Sequence, residues 1–413
     1  MRAMMRRAAT MRVAVVRAVH PIAAWTVLAA LAALSAATGC GEEPASVVSA
    51  LAAEAAADSA VSGPAGHANS AADKAAPIAA HDVVLGTESS PVAQPPQLLS
   101  ETGLYLADGS IDPRNRPFVP QYPLWSDGAK KSRWIRLPEG AKIDVSDIDA
   151  WRFPAGTTFW KEFAWGGRKI ETRMIRVLGG GEWVFATYVW SDDQTDAALA
   201  PADGVPGIIE IAAGKVHSIP AVSDCHACHE SSPGIVLGFN ALQLSDDRDP
   251  LAPNAEPLRE GALTLRSLVD EDRLEPPRAD LAQHPPRIRE SDPVARAALG
   301  YLSANCGGCH NDRGPLARLG LVFLHDAGGA ADAPEPARVT AIGATGRYIV
   351  PGVSADSSRI VAPGAPEHSA LLHRMKSRRP ASQMPPLGTV LPDQESIRLV
   401  QRWIESLATP PVL

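Results

Sequence analysis

Two five-residue units constrain this chain more than anything else in it: Cys225-His226-Ala227-Cys228-His229 and Cys306-Gly307-Gly308-Cys309-His310. Thiols at this spacing share one helical turn, and each second thiol is followed directly by an imidazole. A c-type haem needs two thiols that add across its two vinyl groups and a histidine that reaches the iron, and C-x-x-C-H is the spacing that meets both demands. A thioredoxin-like site would want one C-x-x-C in a βαβ setting. Two such pairs can also hold zinc, and an exported protein can close them as disulfides. None of these accounts for a histidine after both pairs. The spacing therefore predicts two covalently attached haem c groups, with Cys225, Cys228, Cys306 and Cys309 as thioether positions and His229 and His310 as iron ligands.

The two units use every cysteine except Cys40, and five cysteines in 413 residues are too few for a disulfide scaffold. A formal charge of −7 (39 basic, 46 acidic residues), with no Lys/Arg cluster in the folded part, argues against nucleic-acid binding. A hydrophobic share of 45% is enough to build a core.

Residues 1–40 read as an export signal. Arg2, Arg6, Arg7, Arg12 and Arg17 precede nineteen uncharged residues from Pro21 to Gly39. Ala37-Thr38-Gly39-Cys40 then resembles the lipobox of bacterial lipoproteins, which implies lipidation at Cys40, while an uncleaved anchor or plain export stays open. Gly41 is not the Asp that retains lipoproteins at the inner membrane, so the outer membrane, facing the periplasm, is favoured. Residues 41–96 carry no aromatic side chain and are rich in Ala, Ser, Gly and Pro. Such a stretch buries too little to order itself and reads as a disordered tether.

Residues 97–220 read as a β-rich module. Seven of the nine Trp and five of the seven Phe fall between Phe118 and Trp190. Short β-branched and aromatic runs at Arg133–Leu137, Thr158–Phe163, Glu171–Val177 and Trp183–Trp190 are bounded by Gly166-Gly167 and Gly179-Gly180-Gly181, the pattern of an antiparallel sheet or sandwich. A last strand at Ile208–Ile211 would complete it. The tryptophans read as core. Asp127, Lys130 and Lys131 read as a solvated loop.

Residues 221–290 hold the first predicted haem. No methionine lies between His229 and His310, so its distal ligand stays open among Met174, His217, His284 and no ligand at all. His226, inside the unit, reads as solvent-facing. Residues 291–413 hold the second. Asp292 is a natural N-cap and Pro293 a first helical residue, and Val294, Ala298, Tyr301 and Leu302 follow on one face. A second amphipathic helix spans Pro392–Leu407, with Ile397, Val400, Trp403, Ile404 and Leu407 in one stripe.

With the loop Ser382-Gln383-Met384-Pro385-Pro386-Leu387-Gly388 between those helices, residues 291–413 resemble class I cytochrome c. That resemblance implies Met384 as the sixth ligand of the second haem, which raises its potential. Met375 is the rival, and its helical setting favours packing. The whole chain after about residue 100 resembles a family of largely uncharacterised bacterial dihaem c-type cytochromes. The matching pieces are Pro123 to Lys131, Phe153 to Thr157, Glu171-Thr172-Arg173, both haem units, Gly238 to Leu244, Tyr301-Leu302, Val361 to Gly364 and Met384 to Gly388. The expected fold is α+β, with the β-rich module followed by mainly α-helical cytochrome c-like haem domains. The expected function is electron transfer between unidentified redox proteins in the cell envelope. The alternative is a haem enzyme, peroxidase-like or a small-molecule oxidase, with an open first haem.

Overall fold

The computed structural model describes residues 94–408. The expected signal, the tether up to residue 93 and the lipidation site Cys40 lie outside the described residues. Among the described residues no helix is long and apolar enough to cross a membrane.

A six-stranded antiparallel sheet dominates, in the order β1 (Arg116–Pro117), β2 (Lys130–Arg136), β4 (Thr158–Trp165), β5 (Arg168–Gly179), β6 (Glu182–Trp190) and β7 (Ala197–Leu199). The glycine signals close its hairpins. Gly166 and Gly167 (φ 58° and 82°) join β4 to β5, and Gly180 and Gly181 (φ 62° and 86°) join β5 to β6. Those left-handed angles are strained for any residue with a Cβ. Alternation then sends side chains to two faces. One face packs Trp134, Trp160, Met174 and Tyr188 with Leu99 and Leu104. The other carries Ile135, Phe159 and Val177 onto Phe118, Phe153 and Phe239, whose rings meet edge-on at 4.9–6.3 Å. The tryptophans at 134, 151, 160 and 190 are core, as the sequence indicates.

The expected last strand does form, but β8 (Val205–Ala212) pairs only with β9 (Lys215–Ile219), as a separate two-stranded ribbon. A further two-stranded pair joins β3 (Ile143–Asp144) to β10 (Leu274–Glu275) in parallel.

The expectation of an α+β chain with mainly helical cytochrome c-like domains after the β-rich module is overturned. The described part is sheet-rich. Among the described residues seven α-helices follow the sheet: α1 (Val222–His229), α2 (Leu265–Asp270), α3 (Ala279–Gln283), α4 (Pro293–Asn305), α5 (Pro336–Ala341), α6 (Ala370–Lys376) and α7 (Gln394–Ser406). Only α4 and α7, thirteen residues each, exceed eight. The physical reason is proline: eight fall between Glu230 and Glu290, each removing a backbone donor and clashing with a preceding turn. The chain there runs as loops laid on the sheet, and Val236, Phe239, Leu244, Leu263 and Leu268 complete the core under β2 and β4.

The two long helices follow their signals. Asp292 accepts from Ala295 N (2.9 Å) at the start of α4, and Asp393 accepts from Ser396 N (3.1 Å) at the start of α7. Ala298, Leu302, Val400, Trp403 and Ile404, all at 0% exposure, meet between them. Gly300 is required where α4 meets the sheet loops, because an added Cβ would sit inside the Tyr122 ring.

Candidate functional site

The first unit occupies the last turn of α1, which lies against β6: Phe185 meets the His226 ring at 4.9 Å and the His229 ring at 5.2 Å. His229 Nδ1 donates to Ile235 O (2.6 Å), which leaves Nε2 with its lone pair free. This is the arrangement that orients a metal-binding imidazole. Burial first, then the charges of Lys161 and Arg173, push its pKa down to about 4, so the ring is neutral at ordinary pH.

The second unit begins where α4 ends. Cys309 N and His310 N both donate to Cys306 O (3.2 and 2.8 Å), which keeps the five residues in one continuous turn. Burial pushes the Cys306 thiol up to about 12. His310 is held low by burial and then by the Arg374 charge. Its Nδ1 is buried without a hydrogen-bond partner among the described residues. The four thiols are free of disulfides.

Met384 belongs to the same neighbourhood. Arg374, whose charge reaches His310, accepts at its carbonyl from Met384 N (3.1 Å) and donates from Nε to Ser382 O (3.2 Å). The loop is pinned a second time by Asp127, whose carboxylate accepts from Val390 N (3.0 Å) and Leu391 N (2.8 Å). Asp127 and Lys131 are therefore not a solvated loop. They are 5% and 7% exposed, and Lys131 Nζ donates to Leu124 O (2.7 Å); Lys130 alone of the three is exposed. Met375 packs in the helical core, as expected of it.

The candidates for the first distal position separate. Met174 is 1% exposed on the sheet face turned away from α1, packed with Trp160 and Tyr188. His284 is exposed at the end of α3. His217 lies on the same side as the first unit, but its Nε2 is 2.9 Å from Glu171 Oε1 and its ring rests on Trp165 at 4.6 Å. Glu171, fully buried, also takes both Arg173 donors (3.0 and 2.7 Å). His226 is half-exposed and paired to Glu230 (2.6 Å).

The fold brings the two units against one another. Asn311, at 0% exposure, donates from Nδ2 to Ser231 O (2.9 Å) beyond the first unit and to Gly307 O and Gly308 O (3.0 Å each) inside the second. Burial first, and then the charge of the nearby Cys309, hold the Cys228 thiol up at about 11. Beside this junction lies a cleft open to solvent, between Leu237 and Gly308, with Trp151, Phe153 and Phe239 on its apolar side and Arg133 and Lys161 on its polar side.

These features fit a haem at each unit. Two neutral imidazoles face neighbouring thiol pairs, one with its tautomer fixed and one with an orphaned buried nitrogen. An open cleft adjoins the second unit at Gly308. Sequence reading missed Arg133, Lys161, Asn311 and the buried pair His325–Glu335 (3.0 Å) at the cleft wall. The signal for Arg133 was present: alternation in Arg133-Trp134-Ile135 puts an arginine on the same face as a core isoleucine.

Comparison with known proteins finds no matching family model, no similar curated protein and no similar solved structure.

Proposed function

We propose that this chain is an exported dihaem c-type cytochrome, lipid-anchored through Cys40 in the bacterial cell envelope and facing the periplasm, that carries electrons between redox partner proteins. The observation that supports this reading most is the junction of the two C-x-x-C-H units through Asn311. Each haem, when bound, supplies one-electron Fe(III)/Fe(II) exchange. The chain's own part is to hold and tune. Cys225, Cys228, Cys306 and Cys309 fix the two groups, and His229 and His310 present neutral imidazoles. Met384 is the ligand proposed for the second, on a loop pinned by Arg374 and Asp127. Two thiol pairs brought side by side through Asn311 suit exchange between two centres better than two isolated tasks.

The test is a haem-per-chain assay with visible and EPR spectra and an equilibrium redox titration of the mature protein. Two haems and two reversible reductions are expected. A chain left colourless after acid-acetone extraction, or one that carries zinc, overturns the reading.

The haem-enzyme alternative draws support from one observation: Met174 and His284, two of the three candidate ligands, stand away from the first unit. Ready binding of CO, cyanide or peroxide at one haem supports it. A uniformly six-coordinate spectrum that ignores all three removes it.

A further inference from the structure

Three cations stand in one row across the sheet. The register pairs Arg133 of β2 with Lys161 of β4 and Lys161 with Arg173 of β5, so all three side chains leave the same face, toward the cleft and α1. Adjacent strands are about 4.8 Å apart, so the row spans about 10 Å. Its ends are not equivalent. Arg173 is closed by Glu171, and its charge reaches Cys225 and Cys228. Arg133 is 5% exposed and uses Nη1 for Glu256 (2.8 Å), while its Nη2 is buried with no partner among the described residues. Lys161 Nζ lies 4.8 Å over the Phe163 ring, and the acid whose field reaches it, Glu256, is already bonded to Arg133. Burial, with Arg133, Lys131 and Arg173 around it, holds the Lys161 ammonium well below its ordinary value. Buried donors and cations left without an anion are costly, so a wall of this kind is built to receive one.

We propose that Arg133 and Lys161 form a carboxylate-binding shelf for the porphyrin side chains of the first haem, an assignment that rests on the cytochrome reading above. The chemistry of the group matches the polarity of the row. A porphyrin joined through its vinyl carbons carries its two carboxylates on the opposite edge. Arg173, closed by Glu171, stands at the thiols; Lys161 stands one strand away along the cleft wall and Arg133, with its unpartnered Nη2, two strands away. Arg133 offers the planar fork that suits a carboxylate and Lys161 a point charge. The β-rich module would then be part of the haem site and not a separate reader. A free organic anion shares the same chemistry and is the competing occupant.

The experiment uses the full mature chain with Arg133→Met, Lys161→Met and the charge-conserving Lys161→Arg, alongside Met384→Ala to assign the two potentials. Two haems per chain are expected in all. The potential of the first haem falls in both methionine variants, because a nearby cation favours the reduced iron, and Lys161→Arg restores it. The propionate bands in resonance Raman shift in the two methionine variants and, more weakly, in Lys161→Arg, which keeps the test alive if a methionine variant fails to fold. Citrate added to wild type at fixed ionic strength leaves potentials and spectra unchanged. Unmoved potentials and bands overturn the shelf while leaving the cytochrome reading intact. A shift confined to the haem of His310 overturns the assignment to the first haem. Saturable citrate binding by wild type that the variants lose gives the site to a free anion. A wild-type chain without covalent haem fails the cytochrome reading itself.

Discussion

The two C-x-x-C-H units carry the same chemistry in unlike settings. The first sits on an eight-residue helix with no buried residue, pressed on the aromatic and cationic face of a sheet. The second hangs from a thirteen-residue helix with eight buried residues, inside a core of Ala, Leu, Val and Trp. The first histidine has its tautomer fixed by Ile235 O, and the second has a buried nitrogen with no protein partner. The Met384 loop is tied to Arg374, whose charge reaches the second histidine, and the first unit faces a row of three cations, Arg133, Lys161 and Arg173, of which Lys161 has no ion-pair partner among the described residues. A five-residue motif fixes what can be attached. The surroundings, drawn from distant parts of the chain, fix the charge, exposure and sixth position that set how an iron centre behaves.

On the cytochrome reading proposed above, the largest effect that separates the two units is loss of one haem. Replacing Cys225 and Cys228 by serine, or Cys306 and Cys309 by serine, is expected to halve the haem per chain in a pyridine haemochrome assay. Because Cys306 is packed in the helical core, the second pair is expected also to lower the melting temperature further than the first. Equal melting temperatures for the two double variants break the contrast drawn between the settings.

Next in size is the core behind the second unit. Trp403 is fully buried between α7 and α4, and large aromatic truncations in such cores cost about 3–5 kcal/mol. Trp403→Ala is expected to show that loss in urea denaturation and to perturb the second haem's spectrum before the first's. A loss under about 1 kcal/mol would mean that the α4–α7 pair does not support the second site.

Asp127→Ala is smaller and more selective. Its carboxylate holds two backbone donors of the loop after Met384, and hydrogen bonds to charged groups contribute about 1.5–3 kcal/mol each. The expected outcome is weaker methionine ligation at the second haem, read as a lowered second potential and loss of the low-spin methionine band, with the first haem unchanged. Equal disturbance of both haems sinks the assignment of this clamp to the second site.

Parts of this picture are legible in the sequence because their causes are local. Asp292 and Pro293 mark the start of α4, and Gly166-Gly167 marks the β4–β5 turn within a few residues of the strands that it joins. The parts that are not legible depend on remote partners. Asp127 looks like a solvated loop residue until Val390, 263 positions away, is placed against it. β8 carries a strand pattern, but nothing local says that it pairs with β9 and leaves the sheet. The helical character expected after the first haem unit gives way where prolines interrupt residues 230–290, while the two helices expected beside the second unit form. Candidate ligands behave the same way. Met174 and His217 stand as equal candidates in the sequence, yet strand parity sends Met174 to the face away from α1, and the β8–β9 ribbon sets His217 beside Glu171 on the near side.

The smallest effect is expected inside the first unit itself. His226 and His229 differ by three positions, and both rings lie near Phe185, so composition alone does not say which one would serve the proposed iron. Exposure does. His226 is 44% exposed at its side chain and pairs with Glu230, itself 56% exposed, four residues on. Exposed i,i+4 pairs contribute about 0.3–0.5 kcal/mol. His226→Ala is therefore expected to change stability by less than about 0.5 kcal/mol and to leave haem content and both potentials as they are. His229→Ala, by contrast, removes the Ile235-oriented imidazole and is expected to abolish the normal spectrum of the first haem. A His226→Ala variant that loses that spectrum would transfer the ligand role to the wrong side of the helix turn and undo the geometry assigned to the first unit.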